Sequence, residues 1–592
     1  MKAKQPKDIY KHDQQTVIRG DKERTGNEIM ALLNENLKET VSDICMRIAA
    51  SHKSQVIAAC FYGSRVCGYA ETKSDVHVLL VLSNYSPGLR GYLQPLNGIN
   101  VFILATSQVA FERDVKQGWL GEFVAQNVTV PYEPFINKEY LQRQEVKMKR
   151  RIVWELLENI VSEFPELSHG LLIKAEYFMY EAMMRRARLF PLITYTLLNM
   201  LRRDLKRKNV ESMMKGYIKA LNELAEENWI TYFHGHIKIK RKFIDAVRRR
   251  KPRLPFFVKS VQRAAFLHIL SALPKMMNPL MEDQKIFMKA HRGVKAEEPV
   301  FQLEEPKKYL LMPTPLGPVA LSDKSAIEDF VGKTVPGGKA LDMKIDEIGG
   351  VLNDVYLLRL RRNNREQKVV VKKFRDWSGF KWLPLALWTL GTKTLAVLGR
   401  SRLEREYAIN QFLHSQGFPV PEVLHVSPRE RMIFEEFIEG EKMVKIIKRI
   451  ISSRKAVKEA ALVKEVGRKI AEAHRLGVVL GDCKPENIIV TKDGKTFFVD
   501  LEQAARDENQ AWDVAEFLYY SGHHVPLISS VEPAKIIAKN FIEGYLEAGG
   551  RKETVKKAGS ARYAKVFSVF TPPHVLMAIS NFCQTMGKEL EN

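Results

Sequence analysis

Residues 481–503 read GDCKPENIIVTKDGKTFFVDLEQ, and their polar members have the types and spacing of a phosphoryl-transfer centre. Asp482, Lys484 and Asn487 stand in the order D-x-K-x-x-N, and a short apolar strand, Phe497-Phe498-Val499, then delivers Asp500. Transfer from ATP needs one carboxylate facing a hydroxyl nucleophile. It also needs an amide and a second carboxylate to hold Mg²⁺, and a lysine to offset charge near the transferred group. On this reading Asp482 orients or deprotonates the acceptor, Asn487 and Asp500 bind the metal, and Lys484 faces the γ-phosphate.

That order and spacing resemble the catalytic and metal-binding loops of protein-kinase-like phosphotransferases, and the resemblance extends over roughly residues 345–530. Val369-Val370-Val371-Lys372 is a β-branched run suited to a central strand that presents Lys372 to ATP phosphates. Lys373 must point to the opposite face. Within SRLEREYAINQFLHSQGF, Glu406 is the expected partner of Lys372, with Glu404 as the alternative. The run MIFEEFIEG resembles the hinge between kinase lobes, which implies adenine contacts from Glu436, Phe437 and Ile438. The glycines of the phosphate loop are Gly349 and Gly350, and Asn353-Asp354 can form its tight turn.

Several departures point to the atypical kinases. These include the Rio type, the small archaeal kinase of the tRNA threonylcarbamoyl-adenosine complex, and the lipopolysaccharide and aminoglycoside kinases. Gly481 replaces the arginine found before many catalytic aspartates, so a phosphorylated activation loop would find no receptor. Asp500 is followed by Leu501-Glu502 rather than Phe-Gly, which removes a glycine hinge. Asp513 resembles the buried aspartate that braces the catalytic loop. Lys372, Asp482 and Asp500 are all present, which implies an active enzyme rather than a pseudokinase. The expected acceptor is a protein Ser/Thr. A small-molecule acceptor of the aminoglycoside type and an ATP-switched nucleic-acid-binding regulator are the alternatives.

A second constellation lies near the N-terminus. Gly63-Ser64-Arg65 leads across Gly68 to Ser74-Asp75-Val76-His77, in the pattern G-S-R-x-x-G-x-A-x-x-x-S-D. This resembles polymerase-beta-type nucleotidyltransferases over about residues 40–145, and the stretch from Phe111 continues the likeness to archaeal members. Such enzymes hold two metals on a D-x-D pair and a third carboxylate. Here His77 takes the second position, and the strand from Gly98 to Ile103 carries no carboxylate. Imidazole substitutes poorly for a hard oxygen donor of Mg²⁺. A nucleotide- or RNA-binding scaffold without transfer activity is therefore expected, with an active nucleotidyltransferase as the alternative.

The elements that must position these groups imply a multidomain α+β chain. The expected layout is a nucleotidyltransferase-like α/β domain (26–145) and a helical domain (146–291) with a winged helix at 213–250. A linker (292–340), with a short helix near Ala326 to Val331, then leads to a bilobal kinase-like domain (341–592). Residues 26–52 carry apolar positions at helical spacing, while Val56 to Phe61, Val76 to Leu82 and Ile99 to Leu104 read as strands. His234-Gly235-His236 sits between two β-prone pieces, a hairpin signal, with the histidines as surface turn residues rather than metal ligands.

At 592 residues the chain exceeds a single core, and 45% hydrophobic with 27% charged residues fits a folded protein. The net charge of +24 favours an anionic partner such as nucleic acid or a membrane surface. The cations cluster between residues 238 and 253, with Arg202-Arg203 and Lys206-Arg207-Lys208 adding to them. Phosphate-backbone binding and a solvated helix face are both consistent with this pattern. The cysteines Cys45, Cys60, Cys67, Cys483 and Cys583 make no C-x-x-C pair. They read as reduced thiols of a cytoplasmic protein. The opening MKAKQPKDIYKHDQQ lacks the apolar run of a signal peptide. Trp382 to Leu398 is apolar but interrupted by Thr, Gly and Lys, which suits a packed helical insertion or a monotopic membrane contact more than a span.

Overall fold

The computed structural model describes residues 35–71, 74–96, 98–189, 193–249, 303–334, 342–349, 353–362, 365–376, 398–453, 456–506, 509–526 and 530–589. The chain divides into two units, Met1–Glu163 with Leu172–Leu310, and Phe164–Leu171 with Leu311–Asn592.

In the first unit, helix α1 (Glu35–Ser51) buries Val41, Ile44, Cys45 and Ile48, the stripe expected from its periodicity. It packs on a sheet made of β1 (Val56–Tyr62), β2 (Val76–Leu82), β3 (Leu89–Leu96), β4 (Ile99–Ser107) and β5 (Glu133–Ile136), ordered β3-β4-β2-β1-β5. Strands β2 and β4 are parallel, and β2 is buried at every position, which explains its unbroken apolar sequence. Strands β3 and β5 are the edges. Pro95 and Pro134 lie in them, and proline is tolerated at edges because no ladder donor is needed there. Their sequences therefore lack a strand pattern, and neither was expected.

Helix α2 (Lys138–Glu163) follows. Further on, helix α3 (Arg203–Glu226) runs into a hairpin of β7 (Ile230–Phe233) and β8 (His236–Ile239), and Ile237 of β8 also pairs with Ile173 in β6 (Leu172–Ile173). His234 (φ 45°) and Gly235 (φ 77°) supply two consecutive left-handed residues, the requirement of a tight hairpin turn. His234 and His236 belong to no cluster of metal-ligating groups among the described residues. Helix α4 (Arg241–Arg249) buries Phe243 against Trp154 and Trp229. Residues 250–253 of the basic stretch lie outside the described residues.

Where the chain passes into the long segment of the second unit lie β9 (Leu310–Met312), β10 (Val319–Ala320) and helix α5 (Ile327–Thr334). Within the stretch expected as a linker, residues 303–334 thus carry two short strands, and a helix where a short one was expected near Ala326 to Val331. Gly317 (φ 106°) turns the chain between two short buried strands, and Phe330 is fully buried, its ring 4.5 Å from Phe434. Strands of two or three residues are too short to show periodicity.

An antiparallel sheet follows, built from β11 (Asp342–Gly349), β12 (Asn353–Arg362), β13 (Arg365–Phe374), β14 (Val423–Ser427) and β15 (Met432–Glu436), ordered β11-β12-β13-β15-β14. Helix α6 (Gly399–Ser415) precedes β14 in the chain. Beyond β15 come β16 (Gly440–Lys442), helices α7 (Met443–Ser452) and α8 (Val457–Arg475), the hairpin β17 (Ile488–Thr491) and β18 (Thr496–Phe498), and helices α9 (Ala511–His523) and α10 (Glu532–Glu547). A second core that includes Val463, Ile470, Phe517 and Phe541 supports these helices. Residues 382–397 of the apolar insertion lie outside the described residues. Among those described, no helix is long and apolar enough to cross a membrane.

Candidate active site

Lys372 projects from β13 on the same face as Val370, and its cross-strand neighbour on β15 is Ile433. Its Nζ donates to Glu406 Oε1 at 2.8 Å and lies 3.2 Å from Glu435 Oε2 and 3.9 Å from Asp500 Oδ1. Burial lowers the lysine's pKa, but Glu406 first and then Glu435 and Asp500 outweigh it, so the ammonium is held well above its usual range. Glu404 pairs with Arg400 on the same helix instead. Glu435 is a buried residue that the sequence reading passed over. Its signal was strand alternation, because in β15 it shares the face of Ile433 rather than that of Phe434.

The loop carrying Asp482 is held from beneath. Asp513 at the start of α9 accepts the backbone N–H groups of Leu480 at 2.7 Å and Gly481 at 2.8 Å, and lies 3.0 Å from His474 Nε2. Glu516, one turn later, accepts the Cys483 N–H at 2.9 Å. Gly481 has φ 76°, so the residue before Asp482 occupies the left-handed region that an arginine would avoid. Burial, followed by the charge of Asp513, pushes the Cys483 thiol well above its ordinary pKa, which makes it inert.

Lys484 Nζ donates to Asp482 Oδ2 at 2.9 Å. Burial works against the lysine's charge, but Asp482 outweighs it and raises its pKa. Asn487 Nδ2 donates to the Asp482 carbonyl at 3.0 Å, which leaves its Oδ1 to face a cation. The Asn487 carbonyl accepts the Val499 N–H at 2.9 Å, so the segments carrying Asn487 and Asp500 are stitched together one residue before Asp500. Asp500 has φ 69°, and its buried Oδ1 has no hydrogen-bond partner. A carboxylate oxygen without a hydrogen-bond partner and an amide oxygen on the neighbouring segment are donors of the hard type that Mg²⁺ takes.

In the segment that resembles a hinge, Glu436 is exposed, Ile438 is buried, and Lys368 Nζ lies 5.4 Å from the centre of the Phe437 ring. The Glu436 N–H already donates to the Glu422 carbonyl at 2.9 Å, so an adenine edge would have to use other backbone groups of the segment. Gly349 ends β11 opposite Val355, and Gly350 lies outside the described residues. Asn353 does not form the turn as anticipated. It opens β12 and is buried, with its side chain bonded to Glu502 and Arg402.

The N-terminal constellation is arranged differently. Gly63 (φ 84°) turns the chain, and a Cβ placed there would come within 2.7 Å of His77 Nδ1. Ser64 is buried, and Arg65 donates to the Ser74 carbonyl. Asp75 accepts from Asn100 Nδ2 at 3.1 Å, where a third carboxylate would help to hold metal. His77 is buried between Tyr62 and Phe102, and burial, with a smaller effect from Arg65, lowers its pKa to about 4. Neutral imidazole in an apolar ring stack does not fit a two-metal site, and among the described residues no cluster of metal-ligating groups includes Asp75.

Comparison with known proteins follows the first of these sites. Residues 365–520 match the lipopolysaccharide kinase (Kdo/WaaP) family. A probable serine/threonine-protein kinase BUD32 homolog of Archaeoglobus fulgidus is 31% identical over 158 residues, 26% of this chain and 72% of that protein. The KEOPS complex subunit Bud32 of Pyrococcus abyssi is 31% identical over 111 residues, 19% of this chain and 48% of that protein. The serine/threonine-protein kinase rio2 of Schizosaccharomyces pombe is 27% identical over 184 residues, 31% of this chain and 47% of that protein. The chain thus spans about half the length of the latter two.

Proposed function

The chain belongs to the Bud32-type family of atypical kinases, and from that premise we propose that it phosphorylates serine or threonine on a protein. The observation that carries this reading is the set of polar contacts around Lys372, Asp482, Asn487 and Asp500. Asp482 would receive the acceptor hydroxyl, with Lys484 offsetting the charge that builds on the transferring group. Lys372, fixed by Glu406 and Glu435, would clamp the phosphates of ATP. Asn487 and Asp500 would hold Mg²⁺, which when bound neutralises charge on the phosphate oxygens. Gly349 and Gly350 would border the phosphates, and the segment 436–438 would meet the base. Mass spectrometry of the full chain after incubation with Mg-ATP tests the proposal. Added phosphate on the chain or on a supplied protein supports it, and ATP left intact with no phosphoprotein removes it.

For the first unit we propose a nucleotidyltransferase-like scaffold without transfer activity, because the metal set is reduced to Asp75. A nucleic-acid contact through the wing-like hairpin is favoured by one feature. Lys238 and Lys242 lie over the rings of Phe233 and Trp229, at 4.5 and 4.0 Å from their centres, in a region rich in cations. The five cysteines are buried and form no disulfide, which suits a reducing compartment such as the cytoplasm.

A further inference from the structure

Glu502, Arg402 and Asn353 form a buried ring that no step above uses. Arg402, in α6, is fully buried. Its Nη1 donates to Glu502 Oε1 at 3.3 Å, and its Nη2 donates to the Asn353 side-chain carbonyl and to the Arg375 carbonyl. Asn353 Nδ2 donates to Glu502 Oε2 at 2.5 Å, so each member touches both others. The three come from functionally distinct places. Glu502 lies two residues past Asp500, Asn353 follows the glycines of the phosphate loop, and Arg402 lies one turn before Glu406. A buried guanidinium and carboxylate hold each other tightly, because separating them leaves an uncompensated charge. Asp500 beside them keeps a left-handed backbone that a non-glycine residue holds only when its surroundings impose it.

We propose that this ring is a latch tying the metal loop to the phosphate loop, so that the nucleotide site stands assembled without an activating modification. Glu502 is the positioning residue, occupying the place where glycine would give the loop a hinge. The inference rests on the phosphotransferase reading and specifies how that site is regulated.

The test uses the full chain, with ATP as the probe, in four forms: wild type, N353A, E502A and the double variant. N353A leaves the Arg402–Glu502 pair intact and so carries the test even if E502A folds poorly. Hydrogen–deuterium exchange without nucleotide should quicken at residues 353–358 in N353A. The KM for ATP should rise about tenfold in each single variant, with a smaller change in kcat. The double variant should resemble the worse single one, because residues acting as a unit are not additive. Unchanged exchange in N353A, or effects on KM that multiply in the double variant, would overturn the latch while leaving the phosphotransferase reading in place. Absent turnover in the wild type, with exchange still quickened in N353A, would remove the phosphotransferase reading and keep the tie between the loops.

Discussion

Two regions of this chain begin from similar material, a glycine-bearing turn and an acidic residue beside an apolar strand, yet they are arranged in opposite ways. Around Lys372 and Asp482 each charge is answered. Two buried carboxylates hold the ammonium of Lys372, Lys484 faces Asp482, and Asp513 and Glu516 take up the backbone donors of the loop. Around Asp75 the answer is withdrawal. Its carboxylate is tied to a neutral amide, and the neighbouring histidine sits uncharged among aromatic rings. The difference shows the cost of keeping charge out of water. A site stays ionised only where partners are built around it, and otherwise the cheaper solution is to replace the charge.

The largest test of this contrast is removal of the acids. Asp482→Ala and Asp500→Ala should each lower ATP turnover by about 10³-fold or more, measured by phosphate release from the full chain. Turnover within an order of magnitude of wild type would place the chemistry elsewhere. Lys372→Ala should cost about 10²-fold, mostly as a loss of phosphate positioning. An equal loss in Lys373→Ala would show that the wrong face of β13 had been chosen.

A smaller effect concerns stability. His77 is neutral and buried with its pKa near 4, below the ordinary 6.5. As pH falls from about 6.5 towards 4, the unfolded chain takes up a proton that the folded one refuses, so stability falls with it, by on the order of 2 kcal/mol. His77→Gln should flatten this acid dependence in thermal melts taken at about pH 7.5 and about pH 5. A slope identical to wild type would show that the imidazole is not what titrates. The smallest expected effect is none at all. Asp75→Ala should leave ATP turnover within about twofold, and labelled NTPs with Mg²⁺ or Mn²⁺ and RNA should leave no label on any acceptor. Label transfer by wild type that Asp75→Ala abolishes would restore catalysis to the first unit.

Much of the architecture was legible because it follows from local rules. The stripe of α1, the solid apolar run of β2 and the paired left-handed residues of the 234–235 turn each announce themselves within a few positions. The edge strands β3 and β5 were not legible, since proline and exposed polar residues erase alternation where only one side of a strand is paired. The short helix near Ala326 to Val331 was legible, but the strands β9 and β10 escaped, because two or three buried residues carry no period, and the role of Phe330 depends on a core that reaches from Leu358 to Phe434.

Composition and spacing by themselves determined which groups could do chemistry. D-x-K-x-x-N followed by a strand and an aspartate specifies donors and acceptors through residue type alone, and His77 in place of a carboxylate withdraws a ligand whatever the fold. Only the tertiary structure decided which charges answer one another. Arg402 and Glu502 have no local pattern that marks them, and the strand alternation that buries Glu435 does not say which charge it will meet. They matter because folding carries them into a medium where water no longer screens a charge, and there the identity of the nearest partner fixes both protonation and position.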